Sequence, residues 1–207
     1  MPVGDVMTEA EWLAVSIPRP LLDFLGKRAS ERKLRLYGVA CCRKHWDELL
    51  ATRIRTAVET AERLADKNCS VLEQDSVREA VQAAHRQWVT QENYELAAHA
   101  WNARACLGNT RSITRHYATT QGSCEALRDI FGNPFRPVKL YPSWLTSTVV
   151  ALARGIYDER AFDRMPILAS VLQDAGCNNA EVLNHCRDEK QMHFRGCWVV
   201  DMLLGKT

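Results

Sequence analysis

The stretch TRIRTAVETAERLAD, residues 52–66, carries its apolar side chains at helical spacing. Residues three, four and seven apart lie on one face of an α-helix, whereas one face of a strand is met at every second residue. The residues that satisfy the helical spacing are Ile54, Ala57, Val58, Ala61, Leu64 and Ala65. The segment therefore predicts an amphipathic helix with one buried face.

An alanine-rich stretch follows, VREAVQAAHRQWVTQENYELAAHAWNARAC at residues 77–106. Alanine has the highest helix propensity, and its small side chain lets neighbouring helices approach closely. We expect the stretch to begin after Ser76 and to form one long helix, or two helices that break near Thr90. It shows no sustained heptad, so it does not predict a coiled coil.

The segments on either side are helical as well. Thr8 and Glu11 form a capping box before a short first helix, and Ser30 is placed to cap a helix over residues 31–50. A further helix is expected to begin at Ser123. No segment shows the alternation of a strand, so the sequence predicts an all-α fold.

Four more helices are predicted near the C-terminus, in TSTVVALARGIYDE, MPILASVLQDAG, NAEVLNHCRDE and GCWVVDMLLG. Gly176 and Gly205 stand where helices commonly end, and Asn178 with Glu181 resembles a helix-starting box. Between these helices and the preceding ones lies GNPFRPVKLYPSW, residues 132–144. Its prolines exclude a continuous helix while its aromatic residues favour burial.

We interpret residues 132–144 as an ordered loop on the surface of an irregular multi-helix bundle. The loop suggests an N-terminal helical region at 1–131 and a C-terminal helical subdomain at 132–207 packed on it. A single domain is the alternative.

The composition is that of an ordinary globular protein, with 207 residues, 46% hydrophobic residues and a formal net charge of +2. No apolar run approaches the roughly 20 residues of a membrane span. The first residues lack the basic and apolar regions of a secretory signal, so we expect a cytoplasmic protein with no membrane partner. The eight cysteines are then expected to be free thiols, packing residues or metal ligands rather than a disulfide scaffold.

Five phrases of the sequence form a recognisable set: MTEAEWL, SERKLRLYGVACCRKHW, LRDIFGNPFRPV, TVVALARGIYDERAFDRMPILASVLQDAGC and HFRGCWVVDMLLGK. Together they resemble an uncharacterised family of proteins from planctomycete bacteria. The resemblance covers residues 7–66 and 126–206. It implies a module used repeatedly in one bacterial lineage, implies no activity, and makes Met7 an alternative to Met1 as the start of translation.

Cysteine and histidine are concentrated in the run GCNNAEVLNHCRDEKQMHF, residues 176–194, and at Cys197 just beyond it. Zinc prefers four Cys or His ligands in a tetrahedron. The last turn of a predicted helix carries His185 and Cys186. If that helix hairpin folds back, the candidate ligands are Cys177, Cys186, His193 and Cys197, the last two being one helical turn apart.

No CxxC pair exists, and the spacing from Cys177 to Cys186 matches no standard zinc motif. Free cysteine most often behaves as a small buried hydrophobe. We therefore favour packing as the role of these cysteines and keep a zinc site as the alternative. The same reasoning applies to Cys41 and His45, four residues apart on the apolar face of the predicted helix: core packing is favoured over a reactive Cys–His pair.

Positive charge is concentrated in residues 27–55, which contain nine Lys or Arg residues and only three Asp or Glu residues. Arg28, Arg32, Arg35 and Arg43 fall within about a quarter-turn of one another on a helical wheel. Such a stripe is suited to phosphate contacts and predicts nucleic-acid binding as one alternative. The other interpretation is a solvated face, or arginines paired with acidic residues of the same chain.

The aromatic residues of the loop at 132–144 are Phe135, Tyr141 and Trp144. Exposed aromatic side chains anchor protein interfaces. We expect Trp144 to be partly exposed and the loop to contact a partner, while a clasp that closes the bundle is the alternative.

Common catalytic motifs are absent, since the sequence has no GxSxG, GxGxxG or HExxH. We therefore expect a non-enzymatic helical protein–protein interaction or accessory module, with another protein as partner and no cofactor. The alternatives are a zinc-stabilised helical module and a nucleic-acid-binding accessory protein that uses residues 27–55.

Overall fold

The computed structural model describes residues 7–47, 49, 51–118 and 122–206. These residues form twelve α-helices and no strand, which confirms the predicted all-α fold. The helices of the first half are α1 (Glu9–Ala14), α2 (Pro18–Leu25), α3 (Glu31–Arg43), α4 (Thr52–Ala65), α5 (Val71–Thr90) and α6 (Tyr94–Cys106). Those of the second half are α7 (Thr110–Tyr117), α8 (Cys124–Phe131), α9 (Ser147–Glu159), α10 (Met165–Asp174), α11 (Ala180–Arg187) and α12 (Trp198–Leu203).

Packing divides the described chain into two compact units. The first unit is Val15–Cys124 and holds α2 to α7. The second unit joins Met7–Ala14, which contains α1, to the chain from Glu125 onward, which contains most of α8 and all of α9 to α12. Helix α8, which the predicted boundary after residue 131 assigns to the N-terminal region, thus packs within the second unit.

Helix starts follow local capping chemistry. The backbone N–H of Thr8 donates to Glu11 Oε2 at 2.7 Å, and the N–H of Glu11 donates back to Thr8 Oγ1 at 3.2 Å. The Ser30 hydroxyl accepts from the N–H of Lys33 at 3.3 Å. Both predicted caps are confirmed, because each depends on residues only three positions apart.

Three predicted boundaries are wrong in detail. Helix α3 ends at Arg43, well before residue 50, and positions 48 and 50 of the predicted helix lie outside the described residues. Helix α5 begins at Val71 because the Ser70 hydroxyl accepts from the Glu73 N–H at 3.1 Å. Helix α11 is capped by Asn179 rather than by its neighbour Asn178.

The break predicted near Thr90 is confirmed. Helix α5 ends at Thr90, Glu92 adopts a left-handed φ of 58°, and the Asn93 side chain caps α6 by accepting from the N–H of Leu96. The two helices therefore form a hairpin and not one continuous rod.

The core of the first unit is built from small apolar side chains on facing helices. The predicted face of α4 is buried except for Leu64, which is partly exposed. The buried alanines of α5 and α6 include Ala84, Ala97, Ala100 and Ala103. Because alanine adds little bulk, these helix backbones pack closely around α3 and α4.

The second unit has its own apolar core, formed by α9 to α12. Its buried members include Trp144, Val149, Ile156, Leu168, Leu172, Val182, Val199 and Val200. Cys177 and Cys186 lie in the same cluster. This core fixes α11 relative to α12, so it also fixes the positions of the polar side chains that those segments carry at one end.

Candidate metal centre

Four side chains that are able to bind a metal ion converge within the second unit. Asp129 is on α8, and His185 is on the last turn of α11. His193 and Cys197 come from the segment that leads from α11 to α12. Their ligand atoms all lie within 4.8 Å of one another.

The chain between His193 and Cys197 forms a tight turn and not the helical turn predicted for it. The N–H of Cys197 donates to the carbonyl of Phe194 at 2.9 Å, and Gly196 adopts a left-handed φ of 97°. Glycine reaches this conformation without the strain that a Cβ would add. The turn folds Cys197 back towards His193, and α12 begins at the next residue.

The distances between donor atoms are short. His185 Nε2 lies 3.1 Å from Cys197 Sγ and 3.4 Å from Asp129 Oδ1. His193 Nδ1 lies 2.7 Å from Asp129 Oδ1 and 3.9 Å from Cys197 Sγ. In a tetrahedral zinc site, bonds of about 2.3 Å to sulfur and about 2.0–2.1 Å to nitrogen place the donors roughly 3.3–3.6 Å apart. The quoted distances lie below, within and above that range, and all donor pairs lie within 4.8 Å, so the side chains would have to adjust to complete the tetrahedron.

All four side chains are shielded from solvent. Asp129 and Cys197 are fully buried, whereas the His193 and His185 side chains are 5% and 9% exposed. Burial acts to raise the pKa of Asp129, but hydrogen bonds from His185 and His193 outweigh it and hold that pKa below its usual value. The second carboxylate oxygen accepts from the N–H of Phe194 at 2.8 Å. Asp129 is therefore held as a buried anion that faces two imidazoles.

The Cys197 thiol has a different electrostatic environment, which favours its protonated form. Burial raises its pKa well above the usual value, and the negative charge of Asp129 adds to that effect. The backbone N–H groups of Val199 and Val200 donate hydrogen bonds towards its sulfur and act in the opposite direction. A bound cation would favour the thiolate strongly, because a coordinating thiol loses its proton.

Gln191 contacts His185 and Asp129 from outside the cluster. Its Nε2 lies 3.2 Å from His185 Nδ1 and 3.5 Å from Asp129 Oδ1. As placed, the Gln191 amide nitrogen donates to His185 Nδ1, which leaves the ring proton on Nε2. A metal-bound histidine instead donates its second ring N–H to an acceptor, so a zinc-bound His185 would need the Gln191 amide turned to present its oxygen to Nδ1.

The predicted ligand set is half inside this cluster. The structure brings His193 and Cys197 together, whereas Cys177 and Cys186 lie in the apolar core. His185 takes the place of its neighbour Cys186, because successive residues of a helix point about 100° apart. Asp129 carried no signal in the sequence, since it lies 56 positions before His185 in an ordinary helix.

Cys41 and His45 do not form a pair of catalytic character. Helix α3 ends at Arg43, so His45 follows in a turn and is exposed, while Cys41 is buried. Burial raises the pKa of the Cys41 thiol to about 12. A buried thiol with a raised pKa is protonated at neutral pH and is a poor nucleophile.

The predicted basic stripe is largely occupied by contacts inside the first unit. Arg43 makes a two-pronged pair with Glu62, with distances of 3.1 and 2.9 Å. Arg32 Nε lies 3.1 Å from Asp66 Oδ1. The buried Arg35 donates to the carbonyls at positions 106 and 108. Arg28 is exposed, and its guanidinium donates to the Phe24 carbonyl. Nucleic-acid binding through these residues stays a prediction.

The loop at 132–144 departs from the prediction at Trp144. This side chain is 3% exposed and belongs to the apolar core of the second unit, so the expectation of an exposed indole is wrong. A short 3-10 segment, Pro142–Trp144, turns the ring inward. Phe135 is partly buried, and Tyr141 is the exposed aromatic of the three, at 48%.

Comparison with known proteins yields no relative. No family model matches the chain, and no curated protein or solved structure is a match for it. Among the described residues, no helix combines the length and the apolar character needed to cross a membrane.

Proposed function

We propose that the second unit is a zinc-binding helical module whose ion is held by Asp129, His185, His193 and Cys197. The single observation that carries this proposal is the convergence of four suitable donor atoms within 4.8 Å of one another. The ion would join α8, the end of α11 and the start of α12, which otherwise meet through a buried carboxylate and two imidazoles.

The chemistry of the donors favours zinc. Thiolate and imidazole are ligands that zinc accepts readily, whereas calcium and magnesium prefer sites made of oxygen. One thiolate and one carboxylate neutralise the two charges of the ion, and two neutral imidazoles complete the set.

The burial of the site favours a structural role over catalysis. Catalytic zinc keeps one position for water or substrate, with three ligands from the protein. Here four protein donors surround the centre, and two of them are fully buried. The expected contribution is to stability, because a metal that binds only the folded state stabilises it.

A metal-free network is the competing interpretation. A His185 that accepts from Gln191 at Nδ1 and donates from Nε2 towards Asp129 and Cys197, together with a His193 that donates to Asp129, would satisfy the same contacts without an ion. The two interpretations differ in what the purified protein contains.

Metal analysis of protein purified without a histidine tag separates the two interpretations. We expect about one zinc ion per chain. Cobalt substitution is expected to give the visible bands of a tetrahedral site together with a charge-transfer band from Cys197 sulfur. Replacement of that thiol in Cys197→Ser should remove the charge-transfer band.

Cys177→Ala provides a matched control, because it also removes one buried thiol of the second unit but leaves the cluster complete. It should retain the zinc. Folded protein that carries no zinc and takes up none from solution would contradict the proposal.

Protein binding through the loop at 132–144 is a second candidate function. The observation in its favour is that Tyr141 in the loop and Leu145, directly after the loop, are both exposed apolar side chains, at 48% and 38%. Partner capture from a native lysate should fail for Tyr141→Ser and persist for Ile167→Ser, an exposed apolar position outside the loop. Equal capture by both variants would remove the loop from consideration.

A further inference from the structure

A cavity of about 310 Å³ lies beside the candidate metal centre and is lined by residues of the second unit. His185 and Gln191 form part of its wall, and Glu181 and Asp188 contribute carboxylates to it. A cavity holds one water molecule when about 10–15 Å³ is accessible to the centre of that water, so this cavity has room for several waters.

Two residues belong both to this wall and to the metal centre. The Nε2 atom of His185 faces Asp129 and Cys197, while its Nδ1 atom lies 3.2 Å from the Gln191 amide. The same amide nitrogen lies 3.5 Å from Asp129 Oδ1. The His185 imidazole and the Gln191 amide therefore lie between the cavity and the donor atoms of Asp129 and Cys197.

The ligands differ in how easily they can move. Asp129 and Cys197 are fully buried, and both accept backbone hydrogen bonds that fix them. His185 is the ligand with the largest exposed fraction, and its ring borders open space. Rotation of that ring into the cavity would open the centre while the other three ligands stay in place.

The wall of the cavity carries charges of both signs. Its carboxylates, on Glu181 and Asp188, outnumber its single guanidinium, on Arg128. That guanidinium donates two hydrogen bonds to the carbonyl of Trp12, at 3.0 and 2.9 Å, which hold it in place. Glu181 also pairs with Arg136, so Asp188 supplies the larger part of the attraction for a cation.

We infer that this cavity is the route by which the metal ion reaches and leaves the centre. His185 is the ligand that detaches during exchange, and Gln191 holds its ring in the closed position. This inference rests on the proposed zinc site. Its consequence is that the ion exchanges with solution while the second unit stays folded.

Blocking the cavity tests the route directly. Asn184 lines the cavity from the exposed side of α11 and contributes no metal ligand. In Asn184→Trp the indole should fill the passage, making the rate constants for Zn²⁺ loading and for Zn²⁺ release to a chelator both about tenfold smaller. The dissociation constant should hardly change, because both rates fall together. Arg187→Trp places the same bulk on the same helix outside the cavity wall and should leave both rates unaltered.

Two milder variants extend the test without added bulk. Asp188→Asn should slow loading a few-fold at low ionic strength and leave release unchanged, because it removes only the attraction for the incoming cation. Gln191→Ala should speed both loading and release. Faster release without faster loading would instead show that Gln191 orients the His185 ring and does not hold it in the closed position.

The outcomes separate the two proposals. If the protein takes up one zinc ion but Asn184→Trp and Asp188→Asn both exchange it at unaltered rates, the route is wrong and the zinc site stands. If release always matches the rate of unfolding, the route is likewise wrong. A protein that binds no zinc would overturn the site and the route together.

Discussion

Each unit buries cysteine in a group of polar side chains, and the two groups differ in chemistry. In the first unit the sulfurs of Cys42 and Cys106 lie 3.8 Å apart, and each lies 3.2 Å from the Tyr117 hydroxyl. That hydroxyl donates to the Asn102 carbonyl at 2.8 Å. In the second unit the Cys197 sulfur meets imidazole nitrogens and lies close to a buried carboxylate.

The difference shows that burial of a thiol does not indicate its role, whereas its partners do. Burial raises the pKa of both Cys106 and Tyr117 well above their usual values, whereas the hydrogen bond with Cys106 lowers the pKa of Cys42. The first group consists of thiols and a phenol and contains neither a carboxylate nor an imidazole. The second group contains a buried anion with a lowered pKa. Of the two groups, the second combines carboxylate, imidazole and thiol donors and is the better suited to a metal ion.

The largest expected effect is that of ligand loss. Cys197→Ala should lose its zinc and, at free zinc about 1,000 times the dissociation constant, should lose about 4 kcal/mol of stability. Cys106→Ala should retain all of the zinc. Metal content and urea unfolding with and without a chelator measure both quantities. A chelator effect of the same size in Cys197→Ala and in the unaltered protein would contradict the assignment.

The first unit should depend on the buried ion pair of Arg43 with Glu62. Arg43→Ala leaves Glu62 buried without its guanidinium and should cost about 3–5 kcal/mol. Arg28→Ala, at an exposed position of the same basic segment, should change stability by less than about 0.5 kcal/mol. Both are measured by urea unfolding in the presence of chelator. Similar effects of the two variants would refute the internal role of Arg43.

Added side-chain volume should destabilise the protein more beside the network of Cys42, Cys106 and Tyr117 than at a more open position. A Cβ at Gly38 would lie 3.0 Å from a Tyr117 ring carbon and 3.2 Å from Cys106 Sγ, so Gly38→Ala should cost about 1–3 kcal/mol. Gly155→Ala, in the interior of α9 with its nearest neighbour at 3.8 Å, should instead stabilise by about 0.4–1 kcal/mol. Thermal unfolding compares the two. A stabilising Gly38→Ala would show that the network is loosely packed.

Alkaline pH should reveal the contribution of a single buried thiol, Cys41, to the stability of the first unit. Burial raises the pKa of the Cys41 thiol from its usual value of 9.0 to about 12 in the folded chain. Between those pH values the thiol loses its proton in the unfolded chain but keeps it in the folded chain. The free energy of unfolding that this thiol contributes is therefore fully present below pH 9 and decreases as the pH rises. The slope for one such thiol is about 1.4 kcal/mol per pH unit. Cys41→Ala should show a shallower decline in urea unfolding, and an unchanged slope would contradict the raised pKa.

Much of the fold could be read from short-range patterns. The face of α4, the break after Thr90 and the caps at Thr8 and Ser30 all depend on residues within about one or two helical turns. Ser70 and Glu73 have the spacing of a capping box and mark the start of α5, so the predicted start after Ser76 is wrong although a short-range signal is present.

The candidate site could be predicted only in part. His193 and Cys197 stood out because they are four residues apart. The choice between His185 and Cys186 depended on the rotation of α11 against the apolar core, which takes Cys186 inward. Asp129 reaches the site from α8 and shares no local pattern with its partners.

The sequence by itself determined that this chain is helical, where some of its helices start and break, and that its cysteines are predominantly buried. Those properties arise from hydrogen bonds and side-chain spacings between residues close together in the chain. Tertiary structure decided which buried thiol meets imidazole and carboxylate and which meets a phenol. The contacts of Asp129 with His193 and of Cys42 with Cys106 each span 64 residues, and only packing of whole helices brings such residues together.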